Sequence, residues 1–317
     1  MRPDSSTTRI TRREMLLALL AGAAVTSCVG SRQQPVTRSS AGAELVLCGA
    51  EEVFIVSVNL DAEPRKVWSW RAADCPDIPE SLRRAFRSTD DCKPIEGGRG
   101  ILISSSSGAV ALVERETRRA LFFAEVPNAH SIELLPGGRL AAAASVSDSP
   151  GGNRVVVFDL ATRRETASDR LSSAHGLVWD EQRELLWALG NDELRAYRVM
   201  GQGGLTNLRV ESQTKLPEGN GHDLVTQPGS SRLFLSTGKH CWWFDRDTRQ
   251  LTPHDALAET AKVKSYSVHP VTGRVAYVQA EGTNWWAERV HFLKPPGVLH
   301  LPGQRLYKAR WLALRKP

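Results

Sequence analysis

The sequence predicts an all-β protein, a six-bladed β-propeller, and three observations support this fold. A motif of an apolar residue, an acid, two variable residues and Thr-Arg recurs at Val113–Arg118, Phe158–Arg163 and Phe244–Arg249, at intervals of 45 and 86 residues. Strand–turn–strand units such as Ile132–Ala144 accompany these copies. The apolar runs are rich in Val, Ile, Phe and Trp and lack a helical period. Repeats of about 45 residues that hold four short strands are typical of propeller blades.

The composition excludes several classes of protein. The 317 residues are 41% hydrophobic and 24% charged, which excludes a disordered chain. No apolar run reaches the roughly 20 residues that a membrane-spanning helix needs. The net charge of +6 is spread along the chain, so we expect no nucleic-acid partner. The composition indicates a soluble, mildly basic globular protein, which we expect to be a monomer.

The first 27 residues have the features of an export signal. Arg12 and Arg13 stand just before the short apolar segment Met15–Val25, which is too short to span a bilayer and suits a cleavable signal. The paired arginines resemble the twin-arginine (Tat) signature, which implies export of an already folded protein. We therefore exclude residues 1–27 from the fold.

A lipid anchor is predicted directly after this signal. Val25–Cys28 resembles a bacterial lipobox, in which Cys28 becomes the acylated N-terminus; the alternative is an ordinary secretory signal with an incidental cysteine. Residues 28–43, rich in Ser, Arg and Gln, are expected to form a flexible tether. The prediction is an exported protein of the bacterial cell envelope, periplasm-facing or at the outer membrane, that contacts the membrane only through lipid.

Export changes how the remaining cysteines are interpreted, because disulfides persist in an oxidising compartment. Cys75 and Cys92 bracket a short excursion that includes a helical stretch, so a Cys75–Cys92 disulfide is predicted. Free buried thiols, or a Cys48–Cys241 pair, are the alternatives that the sequence leaves open.

The blades can be counted from their inner strands. These begin near Asp90 (or Asp91), His130, His175, His222, Lys264 and Arg310, at intervals of 40, 45, 47, 42 and 46 residues. The N-terminal Glu44–Trp70 supplies about three strands, and the C-terminal Ala309–Leu314 supplies one, so the two are predicted to join in one blade and close the ring. The propeller then occupies residues 44–317. A seven-bladed ring is the alternative if Asp61–Thr89 hides a further blade.

The six positions that start the inner strands are the candidate site. Equivalent positions of the inner strands surround one mouth of the central channel, and here all six are ionisable, three of them histidines. Three interpretations are open: a solvated polar channel; an anion site in which Lys264 and Arg310 hold a carboxylate while a histidine acts as acid or base; or a site for one divalent metal held by His130, His175 and His222, with Asp90 as a further ligand. No other cofactor is expected.

A resemblance to known proteins also indicates an exported propeller. The stretches Val126–Pro136, Ser173–Trp179, Gly221–Leu224 and Arg305–Trp311 resemble an exported bacterial propeller family of unknown function. The resemblance covers most of residues 44–317 and implies the fold and export. More distantly, a propeller channel that bears histidines is similar to propeller polysaccharide lyases that act on uronates.

These observations give one function hypothesis and one alternative. The first is an anionic, uronate-type saccharide bound at the channel mouth, with Trp285 as a surface ring for stacking. If the site is catalytic, it is that of a polysaccharide or oligosaccharide lyase: the cations neutralise the uronate carboxylate, one histidine abstracts the neighbouring proton and another protonates the leaving oxygen. The alternative is a non-enzymatic platform that binds an envelope protein through its blade loops.

Overall fold

Six four-stranded antiparallel sheets make up the structure. The computed structural model describes residues 43–58, 63–201 and 205–312, and each sheet is one blade of a six-bladed β-propeller. The predicted fold class and blade number are confirmed, and the seven-bladed alternative is wrong, because Ala72–Ser88 form short helical turns and no sheet. The predicted signal, Cys28 and all of the tether except its last residue lie outside the described residues.

Twenty-four strands build the six blades. The chain begins with β1 (Ala43–Cys48), β2 (Glu52–Val58) and β3 (Arg65–Arg71). Blade 1 consists of β4 (Thr89–Ile95), β5 (Gly100–Ser105), β6 (Ala109–Glu114) and β7 (Ala120–Glu125). Blade 2 consists of β8 (Ala129–Leu135), β9 (Arg139–Ala144), β10 (Arg154–Asp159) and β11 (Glu165–Arg170). Blade 3 consists of β12 (Gly176–Asp180), β13 (Leu185–Leu189), β14 (Glu193–Met200) and β15 (Asn207–Lys215).

The remaining strands complete the ring. Blade 4 consists of β16 (Asp223–Thr226), β17 (Arg232–Ser236), β18 (Cys241–Asp245) and β19 (Leu251–Pro253). Blade 5 consists of β20 (Val263–Val268), β21 (Val275–Gln279), β22 (Arg289–Leu293) and β23 (Gly297–His300). Blade 6 combines β24 (Lys308–Leu312) with β1–β3.

Among the residues that the structure describes, helical structure is confined to short turns. There is one four-residue helix, α1 (Glu80–Arg83), and there are 3₁₀ turns at Ala72–Asp74, Arg84–Phe86 and Glu96–Gly98. Within the described ranges, no helix has the length and apolar character needed to cross a membrane.

The recurring Thr-Arg motif forms the hairpin between the third and fourth strands of a blade. In blade 2, Asp159 Oδ1 accepts hydrogen bonds from the backbone N–H and the hydroxyl of Thr162, both at 2.8 Å. In blade 4, Asp245 Oδ1 accepts from the Thr248 N–H at 2.9 Å. The arginine that follows adopts a left-handed conformation in each copy, with φ near 60° at Arg118, Arg163 and Arg249. The motif repeats because each hairpin needs the same local hydrogen bonds.

The core lies between neighbouring blades. Trp187 of blade 3 meets Phe244 of blade 4 edge to face, with ring centroids 5.3 Å apart. Between blades 6 and 1, Trp70 packs edge to face on Phe86 at 5.6 Å. Because each sheet buries both faces against its neighbours, the blades stabilise one another and the ring depends on its closure.

Strand β24 closes the ring by pairing antiparallel with β1. Arg310 lies opposite Val46, and Ala309 lies opposite Leu47. The Tyr307 N–H continues the ladder by donating to the Cys48 carbonyl at 2.7 Å. The predicted closure, in which N-terminal strands complete the blade of the C-terminal strand, is confirmed.

The predicted disulfide is not formed. Cys48, Cys75, Cys92 and Cys241 are all buried free thiols. Cys75 Sγ donates to the Arg118 carbonyl at 3.7 Å, at the hairpin between β6 and β7, whereas Cys92 lies on the inner strand β4 and its Sγ donates to the Val46 carbonyl at 3.5 Å. The Cys75–Cys92 prediction is therefore wrong in this structure, because the two thiols contact different parts of the fold. Cys241 donates to the Thr260 carbonyl instead of pairing with Cys48.

An ion network fills the channel and ties blade 6 to blades 1 and 4. The Arg310 guanidinium donates to both oxygens of Asp223 at 2.7 and 2.9 Å and to Asp91 Oδ1 at 3.0 and 3.1 Å. Its fifth hydrogen bond goes to the Tyr266 carbonyl at 2.9 Å. Lys308 Nζ lies 2.5 Å from Asp223 Oδ1. Two cations and two carboxylates therefore balance inside the propeller, and each is less than 6% exposed.

Replacing Arg310 should destabilise the whole ring. In Arg310→Leu, Asp91 and Asp223 lose their bidentate partner while they stay buried, and breaking a buried pair in this way costs about 3–5 kcal/mol. Urea denaturation should show this loss of unfolding free energy. In the control Arg209→Leu, which removes an exposed pair with Glu211 at 3.2 Å, the loss should stay below about 1 kcal/mol. Equal effects of the two substitutions would contradict a structural role for the network.

Candidate functional site

Hydrogen bonds between neighbouring inner strands define which residues are equivalent. The Leu177 N–H donates to Ser131 Oγ at 3.2 Å, and the Ala309 N–H donates to Ser265 Oγ at 3.1 Å. The acceptors Ser131 and Ser265 each follow a predicted ring residue, His130 or Lys264, by one position. The donor Leu177 follows the ring residue of its own blade, His175, by two positions. The donor Ala309 has the equivalent place in blade 6, so the ring residue there is Tyr307. The ring positions are therefore Asp90, His130, His175, His222, Lys264 and Tyr307.

Arg310 is consequently not a ring residue. It lies three positions beyond Tyr307, on the inward side of the mouth, and all five of its donors are used by Asp91, Asp223 and the Tyr266 carbonyl. The prediction that Arg310 starts its inner strand is wrong, because the last blade was aligned by the spacing of turns alone. Burial by itself would lower the pKa of Arg310, but the two carboxylates outweigh it and raise the pKa well above its usual value.

Local backbone geometry directs the ring side chains out of the regular pairing. The register shifts between Thr89 and Asp91, between Ala129 and Ser131, and between Val263 and Ser265. Each shift leaves one residue as a bulge, and these residues are Asp90, His130 and Lys264. The other three, His175, His222 and Tyr307, stand immediately before β12, β16 and β24. All six thus lie where the inner strands begin, at one mouth of the channel.

The three histidines lie on adjacent blades and their rings are in contact. The His130 and His175 centroids are 4.1 Å apart, and the His175 and His222 rings are stacked at 5.3 Å with 8° between their planes. His175 Nδ1 is 2.8 Å from the Ser173 carbonyl, which assigns the proton to Nδ1 and leaves the lone pair on Nε2.

Burial keeps two of these imidazoles, His175 and His222, neutral. Burial, followed by the neighbouring His130 and His222, lowers the pKa of His175 well below its usual value. Burial, followed by the charge of Lys264, lowers the pKa of His222 to about 3. In the part of the chain that the structure describes, no three His, Cys, Asp or Glu side chains are placed to hold a metal ion. The predicted metal site of His130, His175 and His222 therefore has no geometric basis in this structure, where His175 stacks on His222 and is tilted by 43° against His130.

Asp90 and His130 form the next part of the ring. Asp90 Oδ1 lies 3.6 Å from His130 Nε2, and its Oδ2 accepts from the Ser106 N–H at 2.5 Å. His130 Nδ1 lies 3.1 Å from the Asn128 carbonyl. Burial raises the pKa of Asp90, although His130 and the Ser106 N–H oppose this effect. Both nitrogens of His130 therefore have protein partners, unlike Nε2 of His175.

Lys264 is the cation of the mouth. Its residue is 9% exposed, and among the described residues it has no carboxylate within ion-pair distance. Its Nζ lies 6.0 Å from the centroid of the Tyr307 ring, a weak cation–π contact. Burial, and then Lys308, lower the pKa of Lys264 to about 8, so the amine remains mostly protonated at neutral pH. The Lys264 ammonium is therefore largely desolvated and lacks a carboxylate partner among the described residues.

Tyr307 and Trp285 complete the wall beside Lys264. The Tyr307 ring lies 6.2 Å from the His130 ring and 5.7 Å from the Trp285 ring. Trp285, in the connection between β21 and β22, is 44% exposed. Burial, followed by Asp90 and Asp223, raises the pKa of Tyr307 well above its usual value, so its hydroxyl keeps its proton. Tyr307 was missed in the sequence, although its interval of 43 residues from Lys264 fits the other blades.

Comparison with known proteins identifies a family and a fold. A family profile described as "Family of unknown function (DUF6528)" matches residues 12–315. The chain belongs to this family. No curated protein matches it. Among solved structures it is similar to the "Crystal structure of Nidogen/Laminin Complex", with a TM-score of 0.58 and 13% identity, over 87% of this chain and 100% of that one. At that identity the likeness shows the propeller fold alone, and the functional argument depends on the mouth itself.

The neutrality of His222 can be measured directly. With a pKa of about 3, the His222 ring should show no titration between pH 8 and pH 5, because protonation would place a buried charge beside Lys264. An NMR titration of the histidine ring protons, with His222→Gln to assign the resonance, tests this expectation. A His222 transition near pH 6.5, the value of an unperturbed histidine, would contradict the buried environment.

Proposed function

We propose that this family member is an exported, lipid-anchored propeller that binds an anionic, uronate-type saccharide at the channel mouth. The observation that carries the proposal is the Lys264 ammonium, which has no carboxylate partner among the described residues and stands beside the Tyr307–Trp285 wall. A uronate supplies the missing carboxylate, and its ring supplies an apolar face for an exposed indole.

The charge balance of the channel supports an anion. Beneath the mouth, Arg310 and Lys308 are matched by Asp91 and Asp223, so this layer has no net charge. At the mouth, His175 and His222 have lowered pKa values and carry no charge, and burial raises the pKa of the Asp90 carboxyl, which stands beside His130 across the mouth from Lys264. A ligand carboxylate at Lys264 therefore meets little repulsion and a cation that is already partly desolvated.

The location of the protein is part of the proposal. Arg12-Arg13 and the lipobox-like Val25–Cys28 support Tat export and acylation of Cys28. The family match begins at residue 12 and includes both features. An envelope location would bring the mouth into contact with extracellular polysaccharides.

Cleavage by β-elimination is a second candidate, and one observation favours it. His175 Nε2 carries a lone pair at the mouth because Nδ1 is committed to the Ser173 carbonyl. In such a step a base takes the C5 proton of the uronate, the electron pair forms the C4–C5 double bond, the C4–O bond breaks, and an acid returns a proton to the leaving oxygen. Lys264 neutralises the carboxylate without Arg310, which was expected to share this task, and Tyr307 is a proton donor that burial keeps protonated.

The lowered pKa values of the histidines favour binding over cleavage as the function of the mouth. A catalytic base works best with a pKa near the operating pH, whereas burial holds the pKa of His175 and His222 far below it. The mouth is therefore better built to hold a carboxylate than to remove a carbon-bound proton.

Removing the Lys264 charge should weaken uronate binding selectively. In Lys264→Gln we expect the dissociation constant for a uronate oligosaccharide to rise about 10–100-fold, the equivalent of about 1.5–3 kcal/mol for a charged hydrogen bond. Affinity for a matched neutral oligosaccharide should not change. Calorimetric titration at two salt concentrations measures both, and the uronate affinity of the wild type should fall with salt.

The control for overall charge is Lys215→Gln, which removes a cation from the end of β15, where the side chain is 83% exposed and paired with Asp192 at 3.3 Å. It should leave uronate affinity unchanged. Equal binding of neutral and acidic sugars, or equal loss in both variants, would rule out Lys264 as the anion site. Absence of any saccharide affinity would favour the alternative function, a platform that binds an envelope protein through its blade loops.

The lyase candidate makes a separate prediction. Incubation with uronate polysaccharides should release products with the ultraviolet absorbance of an unsaturated uronate, and His175→Ala should lower the rate about 10²–10⁴-fold, the contribution of one acid–base group. The dissociation constant should change little in that variant. Tight uronate binding by the wild type without any unsaturated product would reduce the function to recognition.

A further inference from the structure

A polar groove lies next to the mouth, between blades 1 and 2. It has a volume of about 730 Å³ and is lined by the connections between strands at residues 106–108, 125–128 and 146–150, with Ser81, Leu82 and Ala85 along one side. These connections lie on the face of the propeller that carries the six ring residues of the mouth. The groove is large enough for one or two sugar residues and is open to solvent along its length.

The groove and the mouth share two hydrogen-bonded residues. Ser106 lines the groove, and its backbone N–H donates to Asp90 Oδ2 at 2.5 Å. Asn128 also lines the groove, and its carbonyl is the partner of His130 Nδ1 at 3.1 Å. The groove therefore starts beside the Asp90–His130 pair, across the mouth from Lys264.

The walls of the groove are held in place before any ligand arrives. Asn128 adopts a left-handed backbone conformation, with φ of 47°, and its Nδ2 donates to the Val146 carbonyl at 2.5 Å. This hydrogen bond joins the connection before β8 to the one between β9 and β10. Preformed walls reduce the entropy that binding has to offset.

The chemistry of the groove differs from that of the mouth. Its lining offers the hydroxyls of Ser106, Ser107, Ser147 and Ser149, two acidic side chains, Glu125 and Asp148, and no lysine or arginine side chain from the described residues. Hydroxyls and carboxylates accept and share hydrogen bonds with neutral sugar hydroxyls and amides. A second ligand carboxylate would meet Asp148 and Glu125 with like charge.

We propose that this groove is a second subsite, which takes an uncharged sugar residue next to the uronate. The inference rests on the proposed function, and it narrows the ligand to a saccharide in which uronate and neutral residues alternate. A chain made only of uronates is disfavoured, because its second carboxylate would enter the acidic groove.

Three probes at one low salt concentration test the subsite: the methyl glycoside of glucuronic acid, an alternating glucuronate–N-acetylhexosamine tetrasaccharide, and a tetrasaccharide of uronates alone. We expect the alternating tetrasaccharide to bind at least about tenfold more tightly than the monosaccharide. The uniform tetrasaccharide should gain less than about threefold. In Ser107→Trp, which places a bulky ring in an exposed turn of the groove, the alternating chain should lose its gain while the monosaccharide keeps its affinity.

A charge variant separates repulsion from shape. Asp148→Asn should raise the affinity of the uniform tetrasaccharide by a few-fold and leave that of the alternating chain unchanged. The matched control is Asp192→Asn, on the same face but in the connection between β13 and β14; it should alter neither.

The outcomes distinguish the two proposals. If the monosaccharide binds through Lys264 but chain length and both groove variants have no effect, the subsite is overturned and the mouth stands. If the uniform chain binds as well as the alternating one in the wild type, the alternation is overturned. If no probe binds, both proposals fail.

Discussion

The buried ion network at the centre of the channel is the interaction on which the rest of the structure depends. Arg310 bonds to Asp91 of blade 1 and Asp223 of blade 4, and Lys308 also bonds to Asp223. Burial by itself would raise the pKa of Asp223, but Arg310 and Lys308 hold it well below its usual range. A buried ion pair is tolerated only with excellent geometry and additional hydrogen bonds, and here all five donors of Arg310 are used. The network joins the strand that closes the ring to Asp91 of blade 1 and Asp223 of blade 4.

The network also determines what the mouth can do. Because its charges balance, it adds little net field to the ring, and Arg310 has no donor left for a ligand. The ring therefore depends on Lys264 for its cationic character, and burial keeps His175 and His222 neutral. Because Arg310 is fully used by the network, any arginine that bound a substrate would have to be a different residue. The described mouth instead combines one ammonium, stacked imidazoles, Tyr307 and an exposed indole at Trp285.

The two halves of the candidate site have opposite electrostatic character. Lys264 lies on blade 5, and the groove with Glu125 and Asp148 lies between blades 1 and 2. A ligand that spans the mouth is therefore oriented by charge as well as by shape, with its acid toward Lys264. The fold does not impose this arrangement, since it arises from residues in the bulges and connections.

Features that depend on local hydrogen bonds and periodicity could be predicted from the sequence alone. The Asp–Thr-Arg hairpins are satisfied within a few residues, so their recurrence predicted the blades, their number and the closure of the ring. It also predicted five of the six ring residues, because each stands at a similar distance from its own turn. Only the tertiary structure decided the contacts between distant strands. Tyr307 replaces Arg310 in the ring because hydrogen bonds that β24 donates to serine hydroxyls of β20 set the register of β24. Cys75 and Cys92 stay apart, the histidines stack, and Arg310 turns to Asp91 and Asp223, because each depends on how residues far apart in the chain pack around the channel.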